Sequence, residues 1–163
     1  MLRIELATTQ DIETLTNLEI VTYRETYLET IGTKDVETRI IQKFGPDKQL
    51  IEISEPNRKI FIAWVGTEAI GFTQVLLPGK NVAWLEALYV KKCFQGQGIG
   101  EKLFKKCIET AQMSKYSIIQ LHVYDKNLQA IRFYLKYKFK EIGKKSFIIS
   151  ELERLDLVFE RSI

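Results

Sequence analysis

The sequence has few of the residues from which metal sites and disulfide frameworks are built. It contains one histidine and two cysteines in 163 residues. Cys93 and Cys107 do not have the spacing of metal ligands, so we expect two free thiols in a reducing compartment. His122 has no histidine or cysteine near it in the sequence, and we expect it to be structural. The sequence therefore predicts no metal site.

Long apolar runs and a large excess of one charge are also missing. The N-terminus carries charges at Arg3 and Glu5, and no apolar stretch approaches the length that crosses a membrane, so we expect neither a signal peptide nor an anchor. The formal net charge is only +3, and the lysines are interspersed with glutamates, which disfavours a nucleic-acid-binding surface. We therefore expect a cytoplasmic protein with no membrane or nucleic-acid partner.

The composition is that of one globular domain. Hydrophobic residues make up 45% of the chain and charged residues 28%, which is enough apolar material for a full core. No repeat, linker or low-complexity segment interrupts it. The sequence predicts a single domain over residues 1–163, and it leaves open whether the protein is a monomer or a homodimer.

Hydrophobic periodicity predicts an α/β domain. A first strand ends at Leu6, and the capping pattern Thr8–Asp11 starts a helix that runs to about Leu28. Further helices are predicted after Thr33 and after Pro46. The remaining elements are a hairpin at 60–76, a central strand at 82–90, a helix at 100–111, a strand at 118–123, a helix at 127–134 and an antiparallel closing pair at 139–159. This order predicts a mixed, mostly antiparallel sheet with helices on both faces.

The stretch 82–90 is the predicted central strand. Its residues are apolar at odd and even positions alike, which is typical of a strand that is covered on both sides. Glu86 is the only charged residue in it. The pattern assigns two faces, Val82, Trp84, Leu88 and Val90 on one and Ala83, Leu85, Ala87 and Tyr89 on the other.

Glycines at alternate positions follow this strand and precede a helix, in the segment Gln95–Gly100. Such a turn brings bare backbone N–H groups together at a helix N-terminus, which suits it to hold a phosphate. The P-loop pattern is excluded because no Lys-Ser/Thr pair follows Gly96 at the required distance. The dinucleotide pattern is excluded because Glu101 stands where a third glycine or alanine is required.

Two motifs make the sequence similar to the GNAT N-acetyltransferases. Gln95–Gly100 reads Gln-x-x-Gly-x-Gly, and Asn127–Tyr134 resembles the family's second signature, Asn-x-x-Ala-x-x-x-Tyr. Lys138 departs from the pattern, because the family usually has glycine before the residue that is Phe139 here. The resemblance covers nearly the whole chain and implies the GNAT fold, with acetyl-CoA as acetyl donor and CoA as product.

The resemblance also implies which residues bind the coenzyme. In that family the glycine turn holds the pyrophosphate, and the end of the central strand pairs with the pantetheine arm like an added strand. The implied coenzyme-binding residues are Leu88, Tyr89, Val90, Gln95, Gly96, Gln97, Gly98, Ile99, Gly100, Asn127 and Tyr134.

Glu86 is the candidate general base. An alkyl amine with a pKa of about 10.4 is almost fully protonated at neutral pH, so a base must remove a proton, directly or through water. Glu86 is a lone carboxylate flanked by Trp84 and Leu88, where apolar surroundings would make it a better base, and family members have a glutamate on this strand. The alternative is a carboxylate at a splayed strand that is satisfied by backbone donors and has no catalytic role.

Tyr134 is the candidate general acid by resemblance, since a tyrosine keeps its proton at neutral pH and could donate it to the departing thiolate. Asn127 lies seven residues earlier, on the same helical face. The same resemblance implies that Asn127 hydrogen-bonds the pantetheine arm or a water. The alternatives are a core aromatic for Tyr134 and a helix N-cap for Asn127.

The acceptor side is predicted from a narrower similarity. The stretches 23–27, 145–147 and 155–157 are similar to those of bacterial spermidine/spermine acetyltransferases of the GNAT family, which implies a polyamine or another small amine as acceptor. The candidate acceptor-binding residues are Tyr23, Glu25, Tyr27 and Glu29. For the two glutamates a solvated helical face is the alternative. A protein N-terminal or lysine acetyltransferase and a non-catalytic acetyl-CoA-binding module also stay open.

Overall fold

The computed structural model describes residues 1–149 and 152–163. Its strands are β1 (Leu2–Leu6), β2 (Arg58–Val65), β3 (Glu68–Leu76), β4 (Val82–Val90), β5 (Ile118–Tyr124), β6 (Lys140–Ile149) and β7 (Leu152–Ser162). Its α-helices are α1 (Ile12–Lys43), α2 (Pro46–Ser54), α3 (Ile99–Met113) and α4 (Leu128–Lys136). Short 3-10 turns lie at Thr9–Asp11 and Lys92–Phe94.

The strands form one seven-stranded sheet in the order β1-β2-β3-β4-β5-β7-β6. Among the described strands the β4–β5 pair alone is parallel, and the other neighbouring pairs are antiparallel. Apolar side chains of α3 and α4 pack on one face of the sheet, and those of α1 pack on the other. The predicted mixed, mostly antiparallel sheet with helices on both faces is confirmed.

α1 is interrupted at Gly32, which has φ 81° and ψ 165°. A positive φ is readily adopted only by glycine, so the helix breaks here and resumes in a new direction. The break lies between the predicted end of the first helix near Leu28 and the predicted start of the second after Thr33.

At the N-terminal end of α1, Thr8 and Asp11 form the reciprocal capping box that the sequence predicts. No helix within the described ranges is both long and apolar enough to cross a membrane.

β4 contains a β-bulge at Glu86. Gln74 of β3 pairs with Ala87, whereas Val75 pairs with Leu85, so Glu86 has no partner residue on β3. A bulged residue is an extra residue that shifts the alternation of the strand and redirects its own side chain.

The bulge changes which residues share a face. Ala83 and Leu85 pack in the core under α3, but Ala87 and Tyr89 contact the core under α1. The prediction that these four residues lie on one face is therefore wrong, because strict alternation does not continue through Glu86.

β4 and β5 separate soon after they begin. They pair only over Val82–Trp84 and Ile118–Gln120. Beyond this short ladder the backbone of Leu88–Val90 is paired with β3 on one side only. Within the described residues, this part of β4 therefore has no strand partner on the side that faces β5, beside the glycine turn.

Candidate active site

Two cavities have Tyr89 among their lining residues. The first, which we call the turn cavity, has a volume of about 450 Å³ and lies between the end of β4, the glycine turn and α4. The second, which we call the α1 cavity, has a volume of about 360 Å³ and lies between α1, α2 and the sheet. The two cavities therefore lie next to each other, with Tyr89 in the lining of both.

The glycine turn presents its backbone to the turn cavity. Gly96 and Gly98 have φ of 75° and 76°, and a Cβ added at either would meet no protein atom within 4 Å. Gly98 is the N-cap of α3, and no side chain caps the first N–H groups of that helix. These donors and the positive end of the helix are therefore free to bind an anion.

The side chain of Gln95 fixes the turn in place. Its amide donates to the carbonyl of Val90 at 3.0 Å and accepts from the amide of Gln129 at 3.1 Å, which links the turn to β4 and α4. Gln97 donates to the carbonyl of Cys93 at 3.4 Å and is absent from the residues that line the cavity. The cavity is lined by Leu88, Tyr89, Val90, Gln95, Gly96, Gly98, Ile99, Gly100, Asn127 and Tyr134 among the residues predicted from the sequence.

Asn127 and Tyr134 lie at opposite ends of α4 and both line the turn cavity. The Asn127 side chain accepts from the backbone N–H of Ala130 at 3.2 Å, so it is the N-cap of α4. Tyr134 is only 8% exposed, and its ring packs against Phe133 and Phe139. Burial raises the pKa of Tyr134 well above its ordinary value, so its hydroxyl carries a proton at neutral pH.

Lys138 follows the end of α4 and has a φ of 65°. This is the left-handed conformation, which glycine adopts as readily as conformations with negative φ. The backbone N–H of Phe139 donates to the carbonyl of Tyr134 at 3.1 Å and closes the helix. The departure from the family's glycine is therefore accommodated, and the ring of Tyr134 stays against Phe139.

Glu86 lines the α1 cavity, and the structure does not give it apolar surroundings. Its side chain is 34% exposed and forms an ion pair with Arg58, which also pairs with Glu55 at 2.8 Å. The expectation of an apolar environment fails because the bulge turns Glu86 out of the strand ladder towards a charged neighbour.

Glu19 is a buried carboxylate in the same cavity that the sequence did not single out. It is 6% exposed and accepts a hydrogen bond from the side-chain amide of Gln49. Burial, and then the nearby charge of Glu52, raises the pKa of Glu19 to about 8, although the charge of Lys48 opposes this. The sequence could have indicated this burial, because Glu19 lies four residues after Leu15 and therefore on the same, buried face of α1.

The predicted acceptor-binding residues separate into two groups. Tyr23 lines the α1 cavity, and the Tyr27 hydroxyl lies 3.3 Å from that of Tyr89. Glu25 instead accepts from the backbone N–H of Lys92 at 2.8 Å, and Glu29 lies 3.9 Å from the Lys92 amine, so the structure places both beside the glycine turn. His122 packs against the rings of Trp84 and Phe147 and also lines the α1 cavity.

Comparison with known proteins places this site in a family. The profile of the acetyltransferase (GNAT) family matches residues 14–139. A probable spermine N(1)-acetyltransferase of Bacillus subtilis subsp. natto is 34% identical over 65 residues, which are 39% of this chain and 43% of that protein. The match thus spans less than half the length of that relative.

Two further proteins are similar over more of the chain. The spermidine N(1)-acetyltransferase of Thermoplasma acidophilum is 27% identical over 135 residues, 80% of this chain and 83% of that protein. The crystal structure of a PaiA N-acetyltransferase from Thermoplasma acidophilum in complex with coenzyme A superposes with a TM-score of 0.88, at 23% identity, over 100% of this chain and 99% of that one. The family profile covers most of the chain and both of its motifs, and the chain belongs to the GNAT acetyltransferase family.

Proposed function

We propose that this protein transfers the acetyl group of acetyl-CoA to the primary amine of a small molecule, a polyamine or another small amine. The observation that carries the proposal is that the two cavities share Tyr89 among their lining residues, at the part of β4 that has no pairing with β5. A thioester that reaches this point from the turn cavity would meet an amine that enters from the α1 cavity. Residues 1–163 would act as one domain.

The turn cavity would hold the coenzyme. Its pyrophosphate would accept from the N–H groups of Gly96–Gly100, and its pantetheine arm would extend along the free edge of Leu88–Val90. A backbone N–H at this edge would also donate to the thioester oxygen, where negative charge develops during attack. Gln95 and Asn127 hold the turn and α4 in position through the hydrogen bonds described above.

The α1 cavity would hold the acceptor. Glu86 would take a proton from the bound ammonium, directly or through a water, since it is accessible to solvent and lines the cavity. As the new C–N bond forms and the C–S bond breaks, Tyr134 would donate its proton to the CoA sulfur, and the second proton that the acetylated nitrogen loses would return to Tyr134. Asp and Glu side chains are suited to bind ammonium groups, and the cavity contains three, Glu19, Glu52 and Glu86.

An amine panel tests the proposal. With acetyl-CoA present, we expect thiol release with spermidine, spermine or another primary amine, and background release when the amine is omitted. Trimethylated amines are the matched control, because a quaternary nitrogen cannot accept an acetyl group. The proposal fails if no primary amine raises thiol release above the background of acetyl-CoA alone.

The role of Glu86 is tested by Glu86→Gln. Loss of the base should reduce the rate most at neutral pH and least at alkaline pH, where free amine is abundant. Glu55→Gln is the matched control, because it also removes an ion-pair partner of Arg58 but lies outside the lining of both cavities. A pH–rate profile parallel to that of the wild type would remove Glu86 from the mechanism.

A further inference from the structure

The α1 cavity is lined by acidic and basic side chains, of which the protein pairs only some. Three carboxylates and three cations line it, Glu19, Glu52, Glu86, Arg39, Lys43 and Lys48. Glu86 is paired with Arg58, and Lys48 lies 3.9 Å from Glu52. Within residues 1–149 and 152–163, neither Glu19, Arg39 nor Lys43 has an ion-pair partner within 4 Å. The cavity therefore presents an unpaired acid and two unpaired cations to whatever it binds.

Glu19 is suited to bind an ammonium group. Glu19 is 6% exposed, and its carboxyl group accepts a hydrogen bond from the Gln49 amide. Burial raises its pKa to about 8, which favours the protonated form at neutral pH, whereas an ammonium bound beside it would lower the pKa and pair with the carboxylate. The hydroxyl of Tyr23, which is also buried and lines the cavity, has no hydrogen-bond partner in the described part of the chain. A bound ammonium would pair with Glu19 and donate to a group such as this hydroxyl.

Arg39 and Lys43 are suited to bind an anion. They are four residues apart, so they lie on the same side of α1, and Lys48 follows in the first turns of α2. The charges of Arg39, first, and of Lys48 lower the pKa of Lys43, because three cations lie close together. A polyamine would add further positive charge beside them, whereas an anionic group would relieve the repulsion.

We propose that the preferred acceptor carries an anionic group in addition to the amine that is acetylated, with Glu19 beside an ammonium and Arg39 and Lys43 beside the anion. This inference rests on the proposed amine acetyltransferase function and narrows its acceptor from small amines in general to zwitterionic ones. Arg39 and Lys43 thereby become specificity-determining residues that are separate from the acetyl-transfer chemistry.

Matched pairs of acceptors test the inference in the wild-type protein. L-lysine is cadaverine with one added carboxylate, and phosphoethanolamine is ethanolamine with one added phosphate. We expect kcat/KM with the anionic member of at least one pair to exceed that of its partner by about tenfold or more, as for a contact between charged groups. The pair that shows the preference identifies the anion as a carboxylate or a phosphate.

Variants then assign the preference to its residues. Arg39→Gln and Lys43→Gln should lower kcat/KM more for the anionic acceptor than for its partner, so that their ratio falls towards one. Glu19→Gln should lower kcat/KM for both members of the pair and leave the ratio near its wild-type value. Lys144→Gln, which removes an exposed lysine outside both cavities, is the control and should retain the wild-type ratio.

Two results would overturn the inference while the proposed function stands. One is a wild-type protein that uses cadaverine at least as well as L-lysine and also uses ethanolamine at least as well as phosphoethanolamine. The other is a preference for the anionic acceptor that survives in both Arg39→Gln and Lys43→Gln. If no amine in any assay is acetylated, the proposed function fails, and the inference fails with it.

Discussion

Gly98→Val should weaken the binding of coenzyme A by about a hundredfold or more while the protein stays folded. Gly98 has a φ of 76° at the N-cap of α3, a conformation that a β-branched residue adopts only with strain. No protein atom lies within 4 Å of an added Cβ, so the new side chain would project into the space proposed for the pyrophosphate. A hundredfold loss corresponds to roughly 2.8 kcal/mol, which is typical of lost hydrogen bonds to a charged group.

Gly66→Val is the matched control for backbone strain. Gly66 also has a positive φ, 59°, and open space around an added Cβ, but it lies in the β2–β3 turn, outside the lining of both cavities. Titration calorimetry on both variants, with a thermal melt to establish folding, separates strain from loss of ligand contacts. Unchanged affinity in a folded Gly98→Val protein would show that the turn does not bind the phosphates.

Tyr134→Phe should lower kcat by about 10²–10⁴-fold, as is typical for loss of a general acid. The thioester sulfur carries little charge before attack, so removal of the hydroxyl should affect the transition state and leave coenzyme affinity within a few-fold of the wild-type value. The burial that raises the pKa of Tyr134 keeps its proton available throughout the neutral range. Steady-state kinetics and calorimetry together measure both quantities.

Tyr116→Phe is the control for Tyr134→Phe. The Tyr116 hydroxyl accepts from the backbone N–H of Gly79 at 2.7 Å, away from both cavities, so its removal should reduce thermal stability and leave kcat nearly intact. A structural role for Tyr134 predicts the same behaviour in Tyr134→Phe, because phenylalanine keeps the ring that packs against Phe139. A kcat within twofold of the wild type would thus remove Tyr134 from the chemistry.

The order of elements was predictable because it depends on local patterns. The apolar stripe of α3, the capping box at Thr8 and Asp11 and the helix break at Gly32 are each set by residues a few positions apart. The antiparallel closing pair was predicted over residues 139–149 and 154–159, and β6 and β7 lie there. Periodicity and turn chemistry act over short distances, so a single sequence contains them.

The bulge at Glu86 was not predictable, because it depends on how β4 pairs with β3. Nothing within Val82–Val90 shows that Gln74 and Val75 pair with residues on either side of Glu86. Strict alternation was the only available rule, and it placed Ala87 and Tyr89 on the wrong face. The consequence matters for function, because the bulge gives Glu86 an accessible position in the α1 cavity and an arginine partner.

The acceptor side was the least predictable part of the site. A glutamate on a helix can face solvent, the core or a distant backbone group, and only the packing of the whole chain decides among them. Glu25 meets the N–H of Lys92, 67 residues away in the sequence, whereas Glu19 is buried beside Gln49 of α2. More of the coenzyme-binding residues than of the acceptor-binding residues could be predicted, because the glycine turn and the Asn127–Tyr134 segment form motifs with fixed spacing.

A crystal structure of the protein with acetyl-CoA bound tests the central claim most directly. We predict that the pyrophosphate accepts hydrogen bonds from the N–H groups of Gly96–Gly100, that the pantetheine arm lies along Leu88–Val90, and that the sulfur lies within hydrogen-bonding distance of the Tyr134 hydroxyl. The acetyl group should then point towards the α1 cavity at Tyr89. A coenzyme whose phosphates lie away from the glycine turn, or whose thioester lies beyond the reach of Tyr134, would contradict the account.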